Sequence, residues 1–287
     1  MLKKASYFIF CVVSLCAFSL ARAELPKIKP FPPFRIAGNL YYVGNDYQAS
    51  YLLVTPKGNI LINSDYEMDV PLIQASMAKL GFKWRDIKIL LTSHAHADHI
   101  GGSALIKRQT GAQFMVMDAD VPVVESGGKA DFHYGNDPEQ QYPAVKVDRV
   151  LHDGSRVQLG GTTLVAHLTA GHTQGCTTWT LTEREQGKTY NVVIVGGVYV
   201  NPGYKLVHND TYPRIAQDYK RMFQTLKALP CDIFLGAHGM YFDLEKKYAL
   251  MQQGKANAFV DSDGYQKFVA LKEKDFEAEL SKQQAVH

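Results

Sequence analysis

The chain has 287 residues, 46% of them hydrophobic, so it is long enough and apolar enough to bury a sizeable core. Its net charge of +3 comes from 31 basic and 28 acidic side chains, and the first 23 residues hold three of the basic ones (Lys3, Lys4 and Arg22) and no acidic ones. The rest of the chain is neutral. A neutral chain gives no electrostatic reason to expect nucleic acid or an anionic membrane as a partner. Its neutrality favours a small-molecule substrate.

The N-terminus has the pattern of a secretory signal peptide. Two lysines precede an apolar run over residues 7–20, and the Ala-Arg-Ala sequence at 21–23 is typical of a cleavage site. The apolar run is too short to span a membrane. We therefore expect cleavage after Ala23, export to the periplasm, and a single mature domain over residues 24–287.

In the first half of the mature chain, strands lead into helices. A continuous apolar run at 86–93 predicts a buried strand, and this strand runs directly into a histidine-rich stretch. The other predicted elements are two antiparallel strand regions at 34–44 and 49–64 around Gly-Asn turns, a helix at 70–81, and a helix at 99–111.

The second half repeats this order. Its predicted elements are a hairpin at 156–173, strands at 177–183 and 190–197, a helix at 212–230, a strand at 231–239, and an amphipathic surface helix at 265–283. His172 follows the hairpin and His238 lies at the end of the last strand. Strands followed by a helix, twice over, predict an α/β fold with two sheets packed together and flanked by helices.

The stretch "TSHAHADHIGG" at 92–102 places three of the ten histidines and an aspartate within six consecutive positions. His94 and His96 alternate and so leave the chain on one face, whereas Asp98 and His99 come from the following turn. Exposed histidines at the end of a strand are the simpler interpretation. However, every polar member of the motif is a metal-ligand type and the spacers are alanines, which favours a metal site.

Two zinc sites follow from this pattern. His94, His96 and His172 would form one site, and Asp98, His99 and His238 would form the second, with a hydroxide between the ions. Zinc binds neutral imidazole and keeps one position for water in catalytic sites, and paired ions lower the pKa of bound water toward ~7. Taken alone, His172 and His238 could instead be core histidines or helix caps; their positions after apolar strands favour the ligand role.

With these residues in place, the chain resembles the metallo-β-lactamase superfamily. Over nearly all of its mature length it is similar to the third subclass of class B β-lactamases, which implies an αββα sandwich of two mixed sheets flanked by helices. The stretches that carry the resemblance are "PFPPFRIAGNLYYVG", "ASYLLVTPKGNILINS", "SHAHADHIGG", "AGHTQGCTTW", "NPGYKL" and "CDIFLGAHG". The histidine motif alone marks the superfamily, since glyoxalase II, lactonases and ribonuclease Z carry it too.

One absence narrows the choice within the superfamily. Those relatives place a metal-bridging aspartate at the end of the strand between the last two histidines, and the first class B subclass places a cysteine ligand there. In this chain the strand ends in Gly196 and Gly197. Only the third subclass builds the second zinc site without that position, so the resemblance favours a β-lactamase.

The resemblance implies a reaction and a role for each matching residue. The zinc-bound hydroxide would attack the amide carbonyl of penicillins, cephalosporins or carbapenems, which would confer antibiotic resistance. Asp98 would hold the second zinc and accept a hydrogen bond from the nucleophile. Tyr204 matches a tyrosine proposed to stabilise the oxyanion. Asn201 would contact the substrate, as would Phe132, in a loop at 125–143 beside the active site.

Two departures from the relatives stand out. Several relatives carry a serine at the position of Gly197 that helps to bind the substrate carboxylate. A single neutral hydrogen bond contributes about 0.5–1.5 kcal/mol, so we expect Gly197→Ser to improve such substrates at most roughly tenfold. Relatives also often form a disulfide from the position of Cys231 to a cysteine where Tyr265 stands here. We expect Cys231 and Cys176, the two cysteines of the mature chain, to be unpaired.

The remaining histidines and two other functions complete the expectations. His133 is expected at the surface, and His152, His167 and His208 are expected to be structural. An exported metallo-hydrolase of the same fold could act on a lactone or thioester instead of a β-lactam. A metal-scavenging protein without turnover is a further alternative, against which six ligands with room for water argue. We expect a monomer.

Overall fold

The computed structural model describes residues 29–286, so the expected signal peptide lies outside the described residues. The strands are β1 (Phe34–Ala37), β2 (Leu40–Tyr42), β3 (Tyr51–Thr55), β4 (Gly58–Ile62), β5 (Ile87–Leu91), β6 (Gln113–Met117), β7 (Arg149–Leu151), β8 (Arg156–Leu159), β9 (Thr162–Leu168), β10 (Thr177–Glu185), β11 (Lys188–Val195) and β12 (Ile233–Gly236). The helices are α1 (Val70–Lys79), α2 (Ala97–Ile100), α3 (Ser103–Thr110), α4 (Val121–Glu125), α5 (Ile215–Ala228), α6 (Leu244–Gln252) and α7 (Ser262–Gln284).

The strands form two mixed sheets. The first contains β1 to β7 in chain order, and the second has the order β12-β11-β10-β9-β8. In this sheet each strand pairs with the next one along the chain. The pairs from β1 through β4 are antiparallel, and the pairs from β4 through β7 are parallel. In the second sheet only the pair of β11 and β12 is parallel. The expected α/β architecture with two mixed sheets is confirmed.

Alternation along the strands of the first sheet separates two hydrophobic layers. On β3 and β4, Leu53 and Ile60 face the second sheet and join one core cluster. Their neighbours Leu52 and Leu61 face the opposite side and pack with α1 and α3 in the other cluster. Successive side chains of a strand point to opposite faces, so a sheet covered on both faces must be apolar at every position. The helices α5 and α7 cover the second sheet, and Tyr219 stacks on Phe276 between them.

The predicted helix over 99–111 is two helices. The chain turns between α2 and α3 at Gly101 and Gly102, where a side chain has no room. A Cβ atom at Gly102 would lie 2.5 Å from the carbonyl oxygen of Ser64, and the Gly102 amide donates to the carbonyl of Asp65 at 2.9 Å. Close packing against the loop after β4 therefore breaks the helix.

Other elements match or extend the sequence-based expectations. The helix predicted at 265–283 begins at Ser262 and buries one face through Tyr265, Val269, Phe276 and Leu280. Cys176 and Cys231 are free, as expected. The Tyr265 hydroxyl donates to the Leu226 carbonyl at 2.6 Å and so joins α7 to α5. The short elements β6, β7, α4 and α6 were not predicted. Within residues 29–286, no helix combines the length and apolar character that a bilayer span requires.

Glu183 on β10 carries a buried carboxyl at the junction of the two sheets. It accepts a hydrogen bond from the Asn39 amide at 3.3 Å, in the turn between β1 and β2. Burial, opposed by this hydrogen bond, raises the pKa of Glu183 to about 7 from its ordinary value of 4.5. The folded protein therefore holds a proton on Glu183 across a pH range in which the unfolded chain has lost it.

We predict that Glu183→Gln changes the pH dependence of stability. Because the folded-state pKa is raised, the wild type loses stability as pH rises from about 4.5 to about 7, by about 1.4 kcal/mol per pH unit. Glutamine keeps an acceptor for Asn39 but has no proton to lose. The free energy of unfolding of the variant relative to wild type should rise by about 2.5 kcal/mol between pH 5 and pH 7.5, measured with denaturant at these two values. A difference that does not vary with pH would contradict the buried carboxyl.

Candidate metal centre

The loop after β5 is held by partners outside its own segment. The Ser93 amide donates to the Asn63 side-chain oxygen at 2.8 Å, and the Thr92 carbonyl accepts from the Trp179 indole at 3.0 Å. The Ala95 amide donates to the carboxylate of Asp120 at 3.0 Å. Buried backbone groups need such partners when they leave a sheet. The histidines of this loop therefore project from a backbone that is fixed on both sides.

Donor atoms from three strand ends converge above this loop. The ligand atoms of His94, His96 and His172 lie within 4.8 Å of one another, and those of His94, Asp98 and His99 meet the same limit. His238, which follows β12, places its Nε2 3.2 Å from Nε2 of His99 and 3.7 Å from Oδ2 of Asp98. All six residues expected as ligands are therefore brought together, and His94 lies close to both groups.

Burial lowers the pKa of three histidines of the cluster, His94, His172 and His238, which favours their neutral form. Burial, and next the other histidines, lowers the pKa of His94 well below its ordinary value. Burial lowers the pKa of His172 to about 3, with His96 acting in the same direction, and burial lowers that of His238 to about 3, with His99 acting in the same direction. Burial alone would raise the pKa of Asp98, but His99 and His238 hold it well below its usual range.

This donor set fits zinc. Neutral imidazole nitrogens and an ionised carboxylate are the ligands that zinc binds in proteins. Two of the imidazoles are also oriented by bonds at Nδ1, because His94 Nδ1 lies 3.1 Å from the Ser93 hydroxyl and His172 Nδ1 lies 2.8 Å from the Tyr199 carbonyl. Because Nδ1 of His172 donates its hydrogen to the Tyr199 carbonyl, Nε2 keeps the lone pair that would bind a metal, as is usual for metal-binding histidines.

Asp120 supports the cluster and was missed by the sequence analysis. In addition to the Ala95 amide, it accepts hydrogen bonds from the Thr173 hydroxyl at 2.9 Å and the Gly175 amide at 2.7 Å. It therefore joins the loop of His94 and His96 to the loop of His172. The only local signal is an acidic residue just after a short apolar strand, which by itself does not predict this role.

Four members of the cluster, His96, Asp98, His172 and His238, line an open cavity of about 380 Å³. Its walls are mostly aromatic and amide side chains, and no lysine or arginine is among the described residues that line it. The lining residues other than the histidines and Asp98 are Tyr47, Tyr66, Tyr134, Gln140, Tyr199, Val200, Asn201, Pro202, Met240 and Tyr241. Of these, only Asn201 was predicted at the site.

The fold and the histidine cluster agree with a family comparison. A model of the metallo-beta-lactamase superfamily matches residues 43–238, which include all six residues of the cluster. The chain belongs to this superfamily. Among solved structures, the native FEZ-1 metallo-β-lactamase from Legionella gormanii is 60% identical, with a TM-score of 0.90 and coverage of 91% of this chain and 99% of that chain.

Two solved structures of subclass B3 are also similar to this chain. BJP-1 of Bradyrhizobium japonicum is 38% identical, with a TM-score of 0.84 and coverage of 90% of this chain and 97% of that chain. The di-zinc metallo-β-lactamase LRA-12 from an Alaskan soil metagenome is 35% identical, with a TM-score of 0.83 and coverage of 87% and 94%, respectively. The expected resemblance to the third subclass is confirmed.

Curated relatives of this family member match over shorter stretches. A probable metallo-hydrolase of Burkholderia pseudomallei is 28% identical over 158 residues, which are 54% of this chain and 52% of that protein. The mitochondrial persulfide dioxygenase ETHE1 of Bos taurus is 28% identical over 108 residues, or 37% of this chain and 34% of that protein. The chain thus spans about half or less of the length of the curated relatives it matches.

Three residues expected at the site lie outside this cavity. Tyr204 is buried behind the metal-binding histidines, and its hydroxyl donates to the His172 carbonyl at 2.9 Å instead of facing the cavity. Phe132 packs on Tyr204 and Tyr212, with ring centroids 4.9 and 5.1 Å away. These contacts hold the loop at 125–143 in place, and Tyr134 and Gln140 are the loop residues that reach the cavity. Neither Tyr204 nor Phe132 lines the cavity, and the oxyanion role of Tyr204 and the substrate contact of Phe132 stay predictions.

Gly197 lies directly against the ring of His172. A Cβ atom at this position would lie 2.1 Å from Cδ2 of His172, which no real contact allows. Its backbone is also fixed, since the Gly197 amide donates to the Cys176 sulfur at 3.0 Å. Gly197 therefore supports the ring of His172 and cannot present a side chain to a substrate. The serine that several relatives carry here would have to displace the His172 ring in this chain, which argues against the expected gain in carboxylate binding.

We predict that Gly197→Ala removes metal from the cluster. The new methyl group must displace His172, so metal content and turnover should both fall, turnover by at least about tenfold. Metal analysis after dialysis and steady-state kinetics would measure both.

Gly187→Ala is a matched control for this variant. It lies in the hairpin between β10 and β11, where a Cβ meets nothing within 4 Å but φ is +79°. This variant strains a turn and should keep its metal. Wild-type metal content in Gly197→Ala would contradict the prediction, because it would show that the His172 ring can move and still bind metal.

Proposed function

We propose that the protein is a zinc-dependent β-lactamase that opens the amide bond of penicillins, cephalosporins and carbapenems and so confers antibiotic resistance. The observation that carries the proposal is the convergence of six donor side chains, four of which line one open cavity, with Gly196 and Gly197 after β11 in place of an acidic or cysteine ligand. The 60% identity to FEZ-1 over nearly the whole of that chain supports the same function.

Six residues would hold two zinc ions. His94, His96 and His172 would bind the first, and Asp98, His99 and His238 would bind the second. When bound there, zinc supplies a Lewis acid for the lactam carbonyl and lowers the pKa of a bound water toward ~7. The similar β-lactamase LRA-12 is a di-zinc protein, which supports two ions per chain here.

The chain's own residues orient the substrate and handle the proton. Hydrolysis breaks the bond between the carbonyl carbon and the ring nitrogen, adds the water oxygen to the carbon and transfers a proton to the nitrogen. Asp98 is ionised and one-fifth exposed, so its carboxylate can accept a hydrogen bond from the attacking water. Among the described residues of the cavity wall, Asn201 is one of two amide side chains, with Gln140, and its Nδ2 donates to the Tyr134 hydroxyl at 3.1 Å.

The composition of the cavity wall supports a substrate carboxylate bound by neutral donors. Because no lysine or arginine lies among its described lining residues, neutral donors such as Asn201 would contact the carboxylate directly. Tyr47 and Met240, each at least one-third exposed, offer apolar contacts to substrate side groups at the rim.

A lactone or thioester hydrolase is the alternative, and the comparisons support it less. The relative described as a probable metallo-hydrolase matches only about half of this chain, whereas the matching β-lactamases cover nearly all of it. We further propose export to the periplasm through residues 1–23, and a monomeric protein. Assays of the purified mature chain with a chromogenic cephalosporin, a lactone and a thioester would separate the two activities.

Removal of metal should abolish β-lactam hydrolysis. Dialysis against a chelator is expected to give an inactive protein, and added zinc should restore turnover. The reason is that the six converging side chains would bind the zinc that activates the attacking water. Clavulanate-type inhibitors, which require a serine nucleophile, should have no effect. Full turnover by metal-free protein would disprove the proposal.

Asp98→Asn should reduce turnover far more than stability. The amide keeps the size of the side chain but loses the charge that binds the second zinc and orients the water. The loss of a preorganised group of this kind costs on the order of 10²–10³ in kcat. Thermal unfolding of the metal-free variant should match that of metal-free wild type. Near wild-type kcat with two zinc ions bound would show that the second site is assigned to the wrong residues.

A further inference from the structure

His96 has two oxygen neighbours at the same ring nitrogen. Its Nε2 lies 3.4 Å from the Tyr204 hydroxyl oxygen and 3.7 Å from Oδ2 of Asp131. Asp131 belongs to the loop at 125–143 and its side chain is only 4% exposed. No sequence motif singles out this carboxylate.

Both neighbours can only accept a hydrogen from His96. Tyr204 already donates its hydroxyl hydrogen to the His172 carbonyl at 2.9 Å, so its oxygen has only lone pairs to offer toward Nε2. The Oδ2 atom of Asp131 is buried and has no hydrogen-bond partner within residues 29–286. A buried acceptor without a donor destabilises a protein by about 1–3 kcal/mol. An N–H group at Nε2 of His96 is therefore the arrangement that satisfies both oxygens.

A neutral imidazole carries one N–H, so this tautomer leaves the lone pair at Nδ1. We propose that Asp131 is a positioning residue that accepts the Nε2 hydrogen of His96 and so presents Nδ1 to the first zinc. The inference rests on the proposed zinc function. Metal-binding histidines commonly donate their second nitrogen to a carboxylate, which fixes the tautomer and the ring orientation. His94 and His172 have a hydroxyl and a carbonyl as neighbours of their Nδ1 atoms, whereas His96 has a carboxylate at Nε2.

The same carboxylate organises the cavity loop. Its other oxygen, Oδ1, accepts the amide hydrogens of His133 at 2.8 Å and of Tyr134 at 2.6 Å. Tyr134 lines the cavity, and its ring lies 5.3 Å from the ring of His96. Asp131 therefore connects a zinc ligand to the loop that contacts the substrate, with one oxygen directed to each.

Asp131→Asn separates these two tasks. Asparagine keeps an oxygen for the amides of His133 and Tyr134, but its NH₂ group replaces Oδ2 and cannot accept from His96. We expect the affinity for one of the two zinc ions to fall about 10–100-fold, measured by titrating metal-free protein in competition with a chromophoric chelator. Thermal unfolding of the metal-free variant should match that of wild type.

Asp137→Asn is the matched control. Asp137 lies in the same loop and caps the Glu139 amide at 3.0 Å, and it has no contact with the histidine cluster. This variant should bind both zinc ions as tightly as wild type. Equal zinc affinity in Asp131→Asn and wild type would overturn the inference and leave the zinc function standing. Wild-type protein that binds no zinc would overturn the proposed function itself.

A second measurement needs no variant. Long-range ¹H–¹⁵N NMR correlation of the imidazoles in zinc-loaded wild type should show His96 with hydrogen on Nε2 and with Nδ1 bound to metal. Hydrogen on Nδ1 of His96 would overturn the inference.

Discussion

The carboxylate of Asp120 joins the two halves of the molecule at the point where the site is built. One sheet supplies the loop of His94 and His96, and the other supplies the loop of His172. Asp120 accepts hydrogen bonds from both loops, at Ala95, Thr173 and Gly175. Burial raises its pKa to about 6, which still leaves it ionised at neutral pH. Hydrogen bonds to a charged acceptor contribute about 1.5–3 kcal/mol each, so this one residue opposes separation of the two loops.

Close approach of backbone segments is the second constraint on the site. Gly102 lies against Ser64, Gly175 lies against Asp120, and Gly197 lies under the ring of His172. At each position a Cβ atom would come closer than 3.0 Å to its neighbour. The glycines allow the histidine loops to sit this close to the sheets, but they also prevent these positions from contributing side chains to the cavity. The side chains that line the rest of the cavity therefore come from the surrounding loops.

Those loops present aromatic and amide groups instead of charged ones. Tyr134 and Asn201 face each other across the cavity edge through one hydrogen bond, and Tyr47 packs on His238 with ring centroids 4.8 Å apart. Tyr204 and Phe132 lie one layer further back and support the histidines and the loop. The cavity thus has an inner layer of metal-ligand side chains and an outer layer of aromatic and amide side chains, which on the proposed function would bind metal and substrate respectively.

Local patterns in the sequence predicted the side chains of the candidate metal centre and most of the fold. The spacing of His94, His96, Asp98 and His99 after an apolar strand is visible within ten residues, and strand and helix periodicities predicted β3, β5, α1, α5 and β12 because each depends on neighbouring residues. Contacts between distant segments decided the rest. The break between α2 and α3 depends on Ser64, the ring above Gly197 belongs to a residue 25 positions earlier, and Asp120 and Asp131 act on histidines from other loops. No local pattern encodes these contacts, since they exist only once both sheets have packed together.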